Sequence, residues 1–295
     1  MTALGPSASP SPFGPPLGPP FGPLLDTRAL FPRERDALLE LLRSLDPDDW
    51  SAPTVCPGWD VHDIAGHLLN DYLRRISGGR DGHRGAVFEN DETLPAYLAR
   101  VNGVFAEATR QLSPRVLTDL LAHLGPQLDA LWATVTLDDP AGVDVSWAGT
   151  DEPSPAWLDI AREYTEFWVH QQQIRDAVGR PGADGPELLH PVIDTFMRAL
   201  PHTLRAEDRP DGTSVRFDVT GPAGGRWSAV RRAGRWLPSP PTPDARPAAH
   251  VTTDQDTFWR LATRGITPAT ARHRTVLTGD EALTRTLTTL LAVVA

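Results

Sequence analysis

Glu166 and His170 stand four residues apart in the stretch SPAWLDIAREYTEFWVHQQQIRDAVG, which runs from Ser154 to Gly179. At about 100° per residue, that spacing stacks a carboxylate and an imidazole on one helix face, one turn apart, where both can hold the same ion. Two donors do not hold a metal firmly. The third candidate is His67, in the helical stretch Asp60 to Ile76, which lies on a polar stripe and is followed by the apolar pair Leu68 and Leu69. Two imidazoles and a carboxylate with an open position are the donors of catalytic zinc or of non-haem iron. Periodicity alone has a plainer explanation. Asp159, Arg162, Glu163, Glu166, His170 and Gln173 form one stripe opposite Trp157, Tyr164 and Trp168. His67 shares its stripe with Asp63, Asn70, Asp71 and Arg74, so two solvated faces of amphipathic helices also fit the pattern.

The elements that must position these residues are mostly helices. Pro32 to Leu45 places Ala37, Leu38, Leu41, Leu42 and Leu45 at helical spacing and is closed by Asp46-Pro47. Asp60 with Asp63 three residues on caps the helix that carries His67. Leu94 to Leu112 is a third helix, and Ser113-Pro114 starts a fourth that reaches about Val135, with a bend expected at Gly125-Pro126. Gly78 to Asp91 and residues 138 to 153 are expected loops. Ser-Pro at the start and Gly179 at the end bound the helix of Glu166 and His170, which completes an antiparallel bundle.

From Arg180 to Pro186 the composition turns to Gly and Pro, as in a linker, and the pattern changes. Leu188 to Leu204 is an expected helix. Ser214 to Thr220, Trp227 to Arg232, Trp236-Leu237, Ala248 to Thr252 and Thr275 to Leu277 are expected strands, with helices at Asp254 to Thr263 and Glu281 to Val294. The expected organisation is therefore a Pro-rich disordered tail at 1–25, a helical bundle at 26–185 and a small α+β domain at 186–295.

Composition narrows the function. The net charge of -10 argues against a nucleic-acid surface. The first 23 residues hold eight prolines and no charged side chain, a composition that does not fit a signal peptide and leads to the expectation of a partly polyproline tail. No stretch is apolar and long enough to span a bilayer. The single Cys56 excludes an internal disulfide, so a cytoplasmic location is the expectation.

The run TVCPGWDVHDIAGHLL from Thr54 to Leu69, then Glu166-Phe-Trp-Val-His170 and Asp176-Ala-Val-Gly-Arg-Pro181, resembles the mycothiol-dependent maleylpyruvate isomerase family of DinB-like metalloproteins. RWSAVRRAGRW, Pro243-Asp244-Ala245 and TGDEAL are similar to the small sterol-carrier-like domain that these proteins append. The resemblance covers roughly residues 26 to 295. It implies an α + (α+β) fold, a DinB-like four-helix bundle followed by a small α+β domain. It also implies metal ligands at His67, Glu166 and His170, zinc (alternatively ferrous iron) as the ion, and mycothiol, the low-molecular-weight thiol of actinobacteria, as co-substrate. Arg74 and Gln173 are the candidate contacts to that co-substrate. The family often carries Asp where this chain has Gln173, an amide that offers a donor but no charge.

The implied chemistry is attack by a metal-stabilised thiolate on an electrophilic carbon of a small substrate, as an isomerase if the thiol leaves again and as an S-transferase if it stays. A non-haem iron enzyme on the same face and a non-catalytic small-molecule binding protein are the alternatives. Other residues have simpler expectations. Cys56 fits a packed loop side chain, and Trp59 a packing anchor. His62, about 140° round the helix from His67, is not expected to share its ion. His83 is expected in solvent or at a cleft mouth. Arg74, Arg75, Arg80 and Arg84 can each grip a carboxylate or simply remain solvated.

Overall fold

The structure is a computed structural model that describes residues 19–83, 85, 87–149, 152–240 and 246–292. The expected tail up to residue 18, Arg84, Pro243-Asp244-Ala245 and the expected helix end at Val294 lie outside the described residues. Five helices come first: α1 (Phe31–Ser44), α2 (Val61–Arg75), α3 (Leu94–Thr109), α4 (Pro114–Ala133) and α5 (Ala156–Val178). α1 and α2 each pack against both α4 and α5, which closes a four-helix bundle, and α3 lies against α2.

Local chemistry explains the ends of these helices. The Asp60 side chain accepts from the Asp63 backbone N–H while Asp63 accepts from that of Asp60, a reciprocal cap that fixes where α2 begins and hence where His67 points. Asp63 is held in turn by both arms of Arg110, at 2.8 Å each. α5 stops at Gly179, whose φ of +65° suits glycine, and the Arg180 N–H closes back on the Arg175 carbonyl. α4 continues through Pro126 as a single helix, in keeping with its expected span. Gly125 beside it leaves room for the Arg35 side chain, which makes a two-armed contact with Asp129.

The second part is α6 (Pro186–Phe196), α7 (Leu200–Thr203) and a five-stranded sheet with α8 (Gln255–Ala262), α9 (Pro268–His273) and α10 (Glu281–Leu287). The strands are β1 (Ser214–Thr220), β2 (Gly225–Arg232), β3 (Arg235–Ser239), β4 (Ala249–Asp254) and β5 (Val276–Gly279), in the order β3-β2-β1-β4-β5. Only β1 and β4 run parallel. Val215, Phe217 and Val219 alternate with half-exposed neighbours, and Phe217 meets Phe258 of α8 edge-on, so one face of the sheet is covered by helix. One continuous apolar core joins the two parts. At their boundary Trp168 meets Trp259, and the Tyr164 hydroxyl donates to the Leu188 carbonyl.

Four expectations change. Packed chain begins before Asp26: Phe21 is buried and its carbonyl accepts from Arg198 at 2.6 Å, so the last residues assigned to the tail are anchored. The helix expected over Leu188 to Leu204 is broken by a tight turn at Met197–Ala199, because Pro201 has no N–H to continue the ladder. The C-terminal helix ends at Leu287. The start of the loop expected at Gly78 is instead a π-helical turn, Ile76–Arg80, that prolongs α2.

Candidate metal centre

α2 and α5 face each other across the bundle, and this brings His67 to Glu166 and His170. One donor atom from each lies within 4.8 Å of the other two. His67 Nε2 is 3.1 Å and His170 Nε2 3.0 Å from the same oxygen, Glu166 Oε1. The two rings meet edge-on at 4.7 Å. The back of α5 is what holds its two donors still. Tyr164, Phe167, Trp168 and Ile174 are buried there, with Phe167 against Tyr72 of α2. His67 and His170 are largely buried, whereas the Glu166 side chain is 38% exposed, so the cluster is closed behind and open on the carboxylate side.

Gln173 lies one turn beyond His170, and its Oε1 accepts from His170 Nδ1 at 2.7 Å. That bond keeps a proton on Nδ1, so Nε2 is the nitrogen that can bind a metal once its own proton is lost. His67 has no such support: its Nδ1 is buried without a hydrogen-bond partner. Its ring lies 5.3 Å from that of Trp59.

Three neighbours were less visible in the sequence. Cys56, expected as loop packing, donates its thiol to Gln173 Oε1 at 3.2 Å and is also in hydrogen-bonding reach of His170. It is aimed there by a tight turn, Cys56-Pro57-Gly58-Trp59. The Trp59 N–H bonds the Cys56 carbonyl at 3.0 Å and Gly58 takes a φ of +80°, as a type II turn requires. The same turn sets Trp59 over His67, which gives the Pro-Gly-Trp run a structural reason. Asp71 puts a carboxylate oxygen 3.4 Å from His67 Nε2. Its position four residues after His67 was the available signal.

The electrostatics of the cluster follow from burial and mutual charge. Burial raises the Glu166 pKa, but His170 first and then His67 outweigh it and hold that carboxyl well below its usual range. For His170 burial acts downward, and Glu166 followed by the Cys56 thiol outweighs it, so the imidazolium is favoured well above its ordinary pKa. Asp71 is pushed up to about 6 by burial, against the pull of His67. A site that stabilises positive charge between two imidazoles and a carboxylate has the donor set for a divalent cation.

The remaining candidates separate clearly. His62 Nε2 bonds the Leu112 carbonyl at 3.0 Å and its ring meets Trp50, away from the cluster. Arg75 is committed to Asp159 and Glu163, and Arg80 to Asp81 and Gln127. Arg74 does not reach the cluster's donors; it lines a cavity further along α2 with His83. No helix of the described residues is long and apolar enough to cross a membrane.

Residues 31–175 match the family model described as the mycothiol maleylpyruvate isomerase N-terminal domain. Two crystal structures of the mycothiol-dependent maleylpyruvate isomerase, one of them a His-to-Ala mutant, align with this chain at 14% identity. Their TM-scores are 0.48 and, for the mutant, 0.47, over 81% of this chain and 88% of theirs. Comparison with curated proteins gives no match.

Proposed function

Because residues 31–175 belong to the mycothiol maleylpyruvate isomerase N-terminal domain family, we propose that this protein is a metal-dependent enzyme that uses a low-molecular-weight thiol, mycothiol, on a small electrophile. The observation that carries the proposal is the convergence of His67, Glu166 and His170 within 4.8 Å, with Gln173 fixing the His170 tautomer. Those three side chains would hold the ion, zinc by donor type with ferrous iron the second choice. A divalent cation there supplies Lewis acidity, which lowers the pKa of a thiol brought to it.

The chain's own residues do the rest. Gln173 holds His170 in the ligating tautomer. Half-buried Trp59 packs over His67 and leaves the more exposed Glu166 side for the approach of thiol and substrate. Sulfur forms a bond to the electrophilic carbon and the electron pair moves onto the substrate. Return of that electron pair after rotation expels the thiolate and gives an isomer, whereas its protonation, by the proton the thiol gave up to solvent, retains the sulfur as a thioether. Reaction in an enclosed, oriented pair is favoured over reaction in bulk water.

The test is elemental analysis of purified protein beside His67→Ala and His170→Ala, then product analysis with added thiol. Near one zinc per chain, lost in both variants, is expected. A thiol-free isomer marks an isomerase and a stable sulfur adduct a transferase. Bound iron with oxygen consumption would replace the thiol reading by oxygen chemistry. A wild-type protein that takes up neither zinc nor ferrous iron would end the metal reading.

A further inference from the structure

The cleft between α2 and α3 is built for something the chain itself does not supply. A cavity of about 400 Å³ opens there, with Leu73, Val101, Val104 and Phe105 among its lining. α3 is an apolar helix, yet among the described residues it buries only Tyr97, Ala106 and Thr109. Val104 is 66% exposed. Leu73, Val87, Phe88 and Leu94, all on α2, α3 or the segment joining them, are also among the exposed large apolar residues. Apolar surface gathered beside a cavity marks a binding place far more often than scattered single residues do.

The polar part of the lining has one sign. Asn70, Arg74, Ser77, His83 and Arg100 face the cavity, and no carboxylate does. Arg100 is neutralised by Glu92 at 2.7 Å. Arg74 makes no ion pair among the described residues; its guanidinium lies 5.8 Å from the Tyr97 ring centre. Asp71, three residues earlier, senses that charge but does not bond it. One uncompensated guanidinium at the rim of an apolar cavity calls for one negative charge on an apolar body, and its planar fork matches a carboxylate.

We propose that the α2–α3 cleft binds a monocarboxylate with an apolar body of aryl size, its carboxylate paired with Arg74 and its body against Leu73, Val104 and Phe105. Arg74 follows His67 by two turns, about 10 Å along the helix axis, so the cleft and the metal candidate are separate places on α2. That it is also the electrophile rests on the thiol-enzyme reading above; the binding site itself does not.

The probes are 2-naphthoate, 2-naphthamide, which has the body without the charge, and succinate, which has charge without the body. They are titrated calorimetrically into the protein as purified and again after chelation. Naphthoate is expected to bind at least tenfold tighter than either of the others, and equally with and without metal. Arg74→Ala should bring naphthoate down to the affinity of naphthamide and leave naphthamide within twofold. Val104→Asp, at a position 66% exposed and with its fold checked by circular dichroism, should weaken both. Succinate binding as tightly as naphthoate, or an Arg74→Ala protein indistinguishable from wild type, overturns the proposal. So does a dimer that Val104→Asp dissociates while naphthoate binds neither form, since the surface would then be covered by a second copy. Loss of binding on chelation would place the ligand at the metal instead and also overturn it, whereas failure of the thiol chemistry alone would leave the naphthoate result standing.

Discussion

Glu34→Gln is expected to stabilise the protein increasingly as pH rises from 5 to 8. Glu34, on α1, has no exposed surface; its Oε1 accepts from Gln171 Nε2 at 2.7 Å and its Oε2 has no partner. Burial is the main cause that lifts its pKa to about 7, with Gln171, Arg35 and Arg175 pulling the other way. In the unfolded chain the group titrates near the ordinary glutamate value of 4.5. Between these values the folded state keeps a proton that the unfolded state has lost, so stability falls as pH rises through that window. Below the unfolded pKa the penalty vanishes; above the folded pKa it is complete. At about 1.4 kcal/mol per unit, the separation corresponds to roughly 3 kcal/mol at pH 8. A glutamine has the acceptor for Gln171 and no charge to desolvate, so this term disappears. Urea unfolding of both proteins, followed by tryptophan fluorescence at pH 5, 6, 7 and 8, isolates it, because every other titrating group cancels in the difference. The gap between variant and wild type should grow by about 2.5 kcal/mol across the series, since part of the penalty is already present at pH 5. A gap that is flat with pH, or that grows toward acid, refutes the reasoning.

Three further outcomes test the packing, the tautomer and the proton on His170. A Cβ at Gly66 would overlap the Thr109 hydroxyl and stand 3.0 Å from the Thr109 Cβ, so Gly66→Ala should destabilise by about 1–3 kcal/mol and Gly66→Ala/Thr109→Ala should recover part of that, read by thermal unfolding. Gln173→Leu removes the acceptor for His170 Nδ1 and should weaken zinc binding by about 10–100-fold in competition with a chelator dye. In wild type, zinc affinity should fall as pH drops, because the His170 proton that Glu166 stabilises must leave before Nε2 can ligate. A zinc affinity independent of pH from 6 to 8 would contradict that account.

The parts of the molecule that were legible in the sequence are those where one residue type has one physical use. Asp60 and Asp63 announce the start of α2, Gly179 the end of α5, and the four-residue spacing of Glu166 and His170 their common face. The bundle with its appended sheet follows from the change of period after Arg180. What sequence did not yield is long-range or local-exception detail. Nothing in the spacing says that the Cys56 loop folds over α5, since that contact spans the chain from position 56 to 173. Phe21 sits in a proline-rich run whose composition points to disorder, and only the partner Arg198, far along the chain, explains its burial. α9 was missed although Thr267-Pro268 is a sound helix start, because six residues carry too little periodicity to register.

The polar stripes of α2 and α5 were equally compatible with solvent. What separates the two readings is burial combined with convergence. A solvated stripe does not put His67 at 5% exposure, nor aim two Nε2 atoms at one carboxylate oxygen. Gln173 then decides the charge of the cluster. Its oxygen does the work of an acceptor for His170, as an aspartate there would, but it adds no negative charge. The second carboxylate near the centre is Asp71, and it stands on the other helix, beside His67. On the proposed reading, therefore, the donor set would offer a divalent cation one directly placed carboxylate, Glu166, and would leave more of the positive charge for an incoming thiol than a set with an additional anion on α5.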